Sequence, residues 1–328
     1  MDEQKEFGEV EMTQGEWLQS FIAKLTTPNS IDDIPVPDTF QANLRHYQQT
    51  GLNWLHFMSR TGSGALLADD MGLGKTVQIL ALLDKLRAQN IKTLLVVPAS
   101  LLVNWSKEAE KFAPKLRLCF LHGAERELNL AEADLFITTY GMAARLEQLA
   151  TIHWDLLILD EAQAIKNPTA KQSKSIKALP SSLRIAMTGT PIENRLADLW
   201  SIFDFLNHGL LGTAKEFTSF SKKLKEHPEG YAKLRGAVSP FILRRLKTDK
   251  SVITDLPDKS EIRQFTTLSK KQVALYQTLV QDIERIFRAG NVEMTTMERR
   301  GTIRLSKIRQ PTGHSVSGRQ KMLWCTNS

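Results

Sequence analysis

Asp69-Asp70-Met71-Gly72-Leu73-Gly74-Lys75-Thr76 decides the fold of this chain. The stretch follows a short apolar run, Ala65-Leu66-Leu67-Ala68, and opens a helical pattern through Val77, Ile79, Leu80, Leu82, Leu83 and Leu86. Strand, glycine-rich loop, Gly-Lys-Thr and helix is the context that a phosphate-binding loop requires. Glycines let the backbone curl so that several N–H groups point at one anion, and the helix N-terminus adds a partial positive charge. Lys75 is expected to reach the β- and γ-phosphates of a nucleotide, and the Thr76 hydroxyl to ligate Mg²⁺. One residue departs from the pattern. The usual spacing asks for glycine six residues before the lysine, and Asp69 stands there.

Outward from the loop, strand-length apolar runs recur at 65–68, 93–97, 116–121, 135–139, 156–159 and 185–188, with helical patterns between several of them. Nearly continuous apolar strands alternating with helices predict an α/β fold, a parallel sheet covered on both faces. Ligands of such sheets bind beyond the carboxyl ends of the strands, where the loop lies. After Leu206 strand-like runs disappear and charged helical patterns take over, the clearest from Lys270 to Ala289. We expect a boundary near 207–212, a helical subdomain beyond it, and an extended proline-bearing lead-in over 26–40.

A second motif ends the run Leu156-Leu157-Ile158-Leu159 with Asp160-Glu161-Ala162-Gln163. Paired carboxylates at the tip of a buried strand suit Mg²⁺, which takes few carboxylates and completes its shell with water and phosphate oxygens. Asp160 is the candidate metal anchor, through a water, and Glu161 the candidate base or orienting group for an attacking water.

Composition narrows the classes. The 328 residues suggest about two domains. Two cysteines, Cys119 and Cys325, supply neither a disulfide framework nor a metal cluster. The N-terminus lacks the pattern of a signal peptide, and no apolar run reaches the roughly 18 residues of a membrane span. A soluble intracellular protein is expected. The net charge of +7 is unevenly spread: residues 1–39 hold nine acids and two bases, while 299–328 hold seven bases and no acid. The long middle is only mildly basic, so charge alone argues weakly for DNA.

With these motifs in order, the chain resembles the Swi/Snf-type DNA translocase ATPases of helicase superfamily two, specifically their first RecA-like lobe. The match is collinear through most of Leu44 to Asp249. Leu44-Arg45-His46-Tyr47-Gln48 looks like the family's adenine-reading segment, with Gln48 as the amide that reads the base. Asp69 to Thr76, with Asp70 to Thr76 holding the nucleotide, matches the family's own form of the phosphate loop, which tolerates an acid in place of the first glycine. Asp160 to Gln163 matches its acidic box, with glutamine where histidine is frequent. Stretches 97–105 and 138–141 look like its DNA-backbone segments, implying contacts from Ser100, Asn104, Thr138 and Thr139. Thr188-Gly189-Thr190 looks like the coupling motif. Arg244, Arg245 and Lys247 either touch DNA or form a solvated face.

The resemblance implies ATP and Mg²⁺ as cofactors and duplex DNA as partner, with DNA-bound proteins or a polymerase as further candidates and no membrane. The location would be cytoplasmic and nucleoid-associated in a prokaryote, nuclear in a eukaryote. It orders the chain as an acidic lead-in (1–40), a RecA-like ATP-binding lobe (41–206), a helical protrusion (207–310) and an irregular basic tail (311–328). Relatives complete the ATP site with a second lobe carrying an arginine finger in a Q-x-x-x-R-x-x-R motif. That motif is expected to be absent here, with no second set of alternating strands after Asp249. The reading is expected to be interrupted near Gln310; a short functional basic tail is the alternative. Weak activity in isolation follows. A non-hydrolysing ATP- or DNA-binding fragment and an RNA-type helicase lobe are the competing readings.

Overall fold

The structure, a computed structural model, describes residues 27–121, 130–131, 133–190, 196–224 and 230–249, with scattered positions between 269 and 281. Compact units divide the chain into Met1–Pro257 and Asp258–Ser328.

Among its described residues the first unit has seven strands: β1 (Ala65–Leu67), β2 (Thr93–Val97), β3 (Leu118–Leu121), β4 (Leu135–Thr139), β5 (Trp154–Leu159), β6 (Ser181–Met187) and β7 (Ile242–Leu243). They pair in the order β3-β4-β2-β5-β6-β1-β7, every pairing parallel. The helices are α1 (His46–Thr61), α2 (Lys75–Leu86), α3 (Leu102–Phe112), α4 (Tyr140–Ala143), α5 (Gln148–Thr151), α6 (Lys171–Lys177), α7 (Leu196–Leu206), α8 (Ala214–Lys223) and α9 (Gly230–Val238).

Two apolar clusters explain why the strands read as continuous apolar runs. Successive side chains on a strand point to opposite faces. Leu95 and Val97 join Leu52, Leu55, Leu80 and Trp105 on the face covered by α1, α2 and α3. Leu94 and Val96 join Phe136, Leu157, Trp200, Phe203 and Phe205 on the face covered by α7. Neither face of the central strands meets water, so alternation is lost from the sequence.

The chain after Leu206 departs from expectation. Phe217 and Leu224, in and just after α8, and Leu234 and Val238 of α9 are buried in the second of those clusters. β7 then pairs with β1, at Leu66–Ile242 and Leu67–Leu243. The described residues between 207 and 249 therefore add a strand beside β1 and pack on the second cluster. A two-residue strand is too short to carry a periodicity, which is why the sequence shows none. The Lys270–Ala289 pattern is helical at 273–274, 277–278 and 280–281, and its other positions lie outside the described residues. So do residues 1–26 and the tail, 311–328.

Candidate functional site: a phosphate loop and an acidic box at one end of the sheet

β1 ends at Leu67, and two residues later the chain turns into the loop. Gly72 and Gly74 hold φ of +81° and +75°, a region that only glycine enters readily. A Cβ on Gly74 would also collide with the Gln48 amide nitrogen. Gln48 is buried against the loop: its Nε2–H donates to the Leu73 carbonyl at 3.3 Å, and its Oε1 accepts from the Arg45 N–H at 2.9 Å. The Arg45–Gln48 segment and the glycine-rich loop therefore touch through one amide. Lys75 opens α2 with its ammonium folded onto the loop, donating to the Asp69 carbonyl at 2.7 Å. Burial pulls its pKa below the usual lysine range, against the pull of Glu161, Asp69, Asp160 and Asp70. Thr76 follows, half-buried, and Met71 at the tip of the loop is 64% exposed.

Asp69 proves to be a structural residue with a distant partner. It is fully buried, and Arg245, 176 residues later, binds it through several donors. The Arg245 Nε–H and backbone N–H reach Oδ1 at 2.8 and 3.1 Å, and the NH2 group reaches Oδ2. The same guanidinium donates to Gln78 Oε1 at 2.8 Å and to the Tyr47 carbonyl, and lies over the Tyr47 ring. Gly51 makes room, since a Cβ there would collide with Gln78 and Arg245. The aspartate that replaces the loop's first glycine is thus held by the segment following β7.

This arrangement corrects one expectation directly: Arg245 is 7% exposed with its donors engaged, and it is withdrawn from any surface ligand. Arg244 beside it is exposed. Lys247 is a residue that the motifs did not single out for the loop. Its N–H donates to Asp70 Oδ2 at 3.0 Å, and its Nζ would lie 2.9 Å from a Cβ on Gly72. Only the return of β7 beside β1 brings it there, and no local signal announces that.

The acidic box follows β5. Asp160 is 7% exposed; its Oδ2 accepts the Trp105 Nε1–H at 2.8 Å and its Oδ1 the Glu161 N–H at 2.9 Å. Burial, aided by the Glu161 charge, pushes the Asp160 carboxyl above the usual range in spite of those bonds and of Lys75. Glu161 has φ of +52°, a left-handed conformation that costs a non-glycine residue on the order of 1 kcal/mol or more. From it a chain of hydrogen bonds leads to the coupling motif. Gln163 Nε2–H donates to Glu161 Oε2 at 2.7 Å, Thr188 Oγ1–H donates to Gln163 Oε1 at 2.8 Å, and the Thr190 N–H donates to Thr188 Oγ1 at 3.0 Å. A Cβ on Gly189 would lie 3.5 Å from Met71 and 3.9 Å from the Lys75 ammonium. Phosphate loop, acidic box and coupling motif thus meet at one end of the sheet.

The proposed DNA-facing residues divide. Ser100 and Asn104 are exposed at and near the start of α3. Thr138 is buried, its hydroxyl donating to the Leu121 carbonyl at 3.1 Å, and Thr139 caps α4 by accepting the Met142 N–H at 3.2 Å. Both threonines sit on a central strand whose side chains have been taken inward. They shape the segment, and neither presents a free hydroxyl at the surface.

The donors fit a hard divalent ion bound with phosphate. Among the described residues no three His, Cys, Asp or Glu side chains gather into a metal cage. The carboxylate of Asp160 and the hydroxyl of Thr76 are oxygen donors of the kind that Mg²⁺ takes, with phosphate oxygens and water completing its shell.

A parallel sheet carrying a glycine-rich phosphate loop on one strand and an acidic pair two strands away defines a RecA-like nucleotide-binding lobe. Residues 47–314 match the SNF2-related domain, and the chain belongs to that family. It is 40% identical over 292 residues to YwqA of Bacillus subtilis, named for an ATP-dependent helicase/translocase, covering 84% of this chain and 31% of that protein. It is 36% identical over 265 residues to the human SWI/SNF-related matrix-associated actin-dependent regulator of chromatin subfamily A member 1, covering 76% and 25%. Its fold matches the Sulfolobus solfataricus SWI2/SNF2 ATPase core in complex with dsDNA, with a TM-score of 0.65 and 40% identity over 84% of this chain and 59% of that one. The chain spans less than a third of the length of these two curated relatives.

One sequence expectation needs correction on the sequence itself. The spacing Q-x-x-x-R-x-x-R does occur, as Gln281 to Arg288. It falls within the helical pattern of Lys270–Ala289. Arg285 and Arg288 lie outside the described residues.

Proposed function

We propose that this chain is the ATP-binding lobe of a DNA-dependent ATPase that translocates on duplex DNA and remodels protein–DNA complexes. The hydrogen-bonded path from Glu161 through Gln163 to Thr188 carries the reading. It ties the group that would orient an attacking water to the motif by which relatives connect ATP and DNA. Gln48 would read adenine, Lys75 and the N–H groups of the loop would hold the phosphates, and Thr76 and Asp160 would hold Mg²⁺. The ion supplies charge neutralisation for the transferred phosphoryl group. Glu161 accepts a proton from water or aligns it.

Single-lobe ATP sites turn over slowly, because an arginine finger supplied across the cleft contributes about 10³–10⁵ in rate. This chain assayed by itself is therefore expected to bind ATP·Mg²⁺ weakly, hydrolyse it poorly and not move on DNA. The test is ATPase activity of the purified chain with duplex DNA, single-stranded DNA or RNA. Slow turnover stimulated by duplex DNA alone supports the proposal. Stimulation by RNA alone would favour an RNA-type helicase lobe, and brisk turnover would overturn the half-site account.

A further inference from the structure

Two buried aromatic side chains converge on the residue proposed to hold the metal, and the reaction itself uses neither. Trp105, 1% exposed, donates its indole N–H to Asp160 Oδ2 at 2.8 Å. Tyr140, 5% exposed, donates its hydroxyl to the Asp160 carbonyl at 2.8 Å. The donors come from different elements, α3 and α4, 35 residues apart in sequence by number. Each lies directly behind a stretch that resembles a DNA-backbone contact.

On α3, Asn104 and Trp105 are neighbours about 100° apart around the axis, so one faces solvent while the other reaches the acidic box. At the end of β4, Thr139 caps the short helix that Tyr140 begins. The Asp160 carboxylate is thereby fixed at three points. Trp105 holds one oxygen, the Glu161 N–H holds the other, and Tyr140 holds the backbone that carries them.

We propose that Trp105 and Tyr140 are positioning residues through which occupancy of the outer face of α3 and α4 by a phosphodiester strand changes the setting of the Asp160 carboxylate. The proposal rests on the reading of that face as the DNA side. A rigid helix shifted by a fraction of an ångström at its outer face carries its inner face with it, and hydrogen bonds weaken steeply as their angle opens. A carboxylate that has lost such a partner holds its metal less well: outer-shell partners typically contribute 10–100-fold to metal affinity.

The direct test is the ¹⁵N–¹H resonance of the Trp105 indole in the full chain, assigned by its loss in Trp105→Phe. Tyr140→Phe is the companion variant and keeps the test usable if Trp105→Phe does not fold, with Asp160→Asn then providing the assignment. The resonance is expected to move on addition of a 30-base-pair duplex without nucleotide. It should move again with ATPγS and Mg²⁺, but not with ATPγS in EDTA. In either Phe variant the Mg²⁺ concentration needed to tighten ATPγS binding should rise about tenfold. An unmoved indole in a sample shown by fluorescence anisotropy to bind duplex overturns the inference. Absence of any duplex binding instead removes the reading on which it stands. Unchanged Mg²⁺ dependence in a folded Tyr140→Phe variant overturns the part assigned to Tyr140.

Discussion

Asp69 and Asp160 are both buried aspartates just beyond the carboxyl ends of parallel strands, and they have opposite employments. Asp69 meets a guanidinium that binds it with both geometry and charge. Asp160 accepts hydrogen bonds from neutral donors alone, an indole N–H and a backbone N–H; a second carboxylate is its neighbour, and the charge of Lys75 acts on it without outweighing burial. A buried carboxylate bound directly by a guanidinium has its charge met; one bonded to neutral donors and held above its usual pKa fits the proposal that it receives a charge arriving with the ligand. The position that looked like a flaw in the phosphate loop is therefore architectural. The conventional-looking acidic box is the place held in tension.

The comparison breaks most visibly at Asp69. Removing one partner of a buried ion pair typically costs about 3–5 kcal/mol, because the other charge stays buried alone. Asp69→Asn and Arg245→Met should each lower the unfolding free energy by about that amount in urea titrations. The double variant, which strands no charge, should recover part of the loss. Equal stability of the single variants and the parent would show that the pair does not hold the loop.

Asp160→Asn should behave in the contrary way. It keeps the volume and one acceptor oxygen but removes the charge and sets an amide NH2 against either the Trp105 indole N–H or the Glu161 N–H, so hydrolysis should fall by about 10²–10³ while relief of the buried charge offsets the lost hydrogen bond in folding. The sign of its pH dependence follows from a raised carboxyl pKa. The charged form penalises the fold fully above the folded pKa, and the penalty disappears as pH falls below the unfolded value. Any stability gained by Asp160→Asn in thermal melts should accordingly be present near neutrality and vanish in acid. Glu161→Gln should leave nucleotide affinity within about twofold and remove hydrolysis, separating metal anchoring from water activation.

The smallest effect belongs to a third aspartate, Asp134, which pairs with the exposed Arg117 at 2.6 Å. Burial pushes its carboxyl up, but the hydrogen bonds and charge of Arg117 outweigh that and hold it below the usual range. Its contribution is present above the unfolded pKa and is lost as pH falls through the folded one. With a half-exposed partner, Asp134→Asn should cost no more than about 1 kcal/mol at neutral pH and nothing in strong acid.

Much of this was legible in the sequence because the signals are local. The runs 93–97 and 135–139 are strands over those same residues, and the loop, acidic box and coupling motif each lie within eight residues of chain. What was not legible is long-range. Nothing near Asp69 announces Arg245, and nothing in the two residues of β7 announces a strand that returns the chain to the loop. Burial was also hidden. Thr138 and Arg245 are polar residues in stretches that resemble contact segments, yet packing has turned both inward. The roles of Trp105 and Tyr140 needed three dimensions as well, since each reads as an ordinary core aromatic until its polar hydrogen is seen to end on Asp160.

The central claim, that Asp160 awaits a metal and Asp69 does not, is tested most directly by one titration. Affinity for ATPγS is measured by calorimetry as Mg²⁺ is varied, in the parent chain, in Asp160→Asn and in whichever Asp69 variant remains folded. The account predicts that Mg²⁺ tightens binding in the parent and in the Asp69 variant but leaves Asp160→Asn unchanged. Retained Mg²⁺ dependence in Asp160→Asn, or its loss through Asp69 alone in a folded protein, would contradict it.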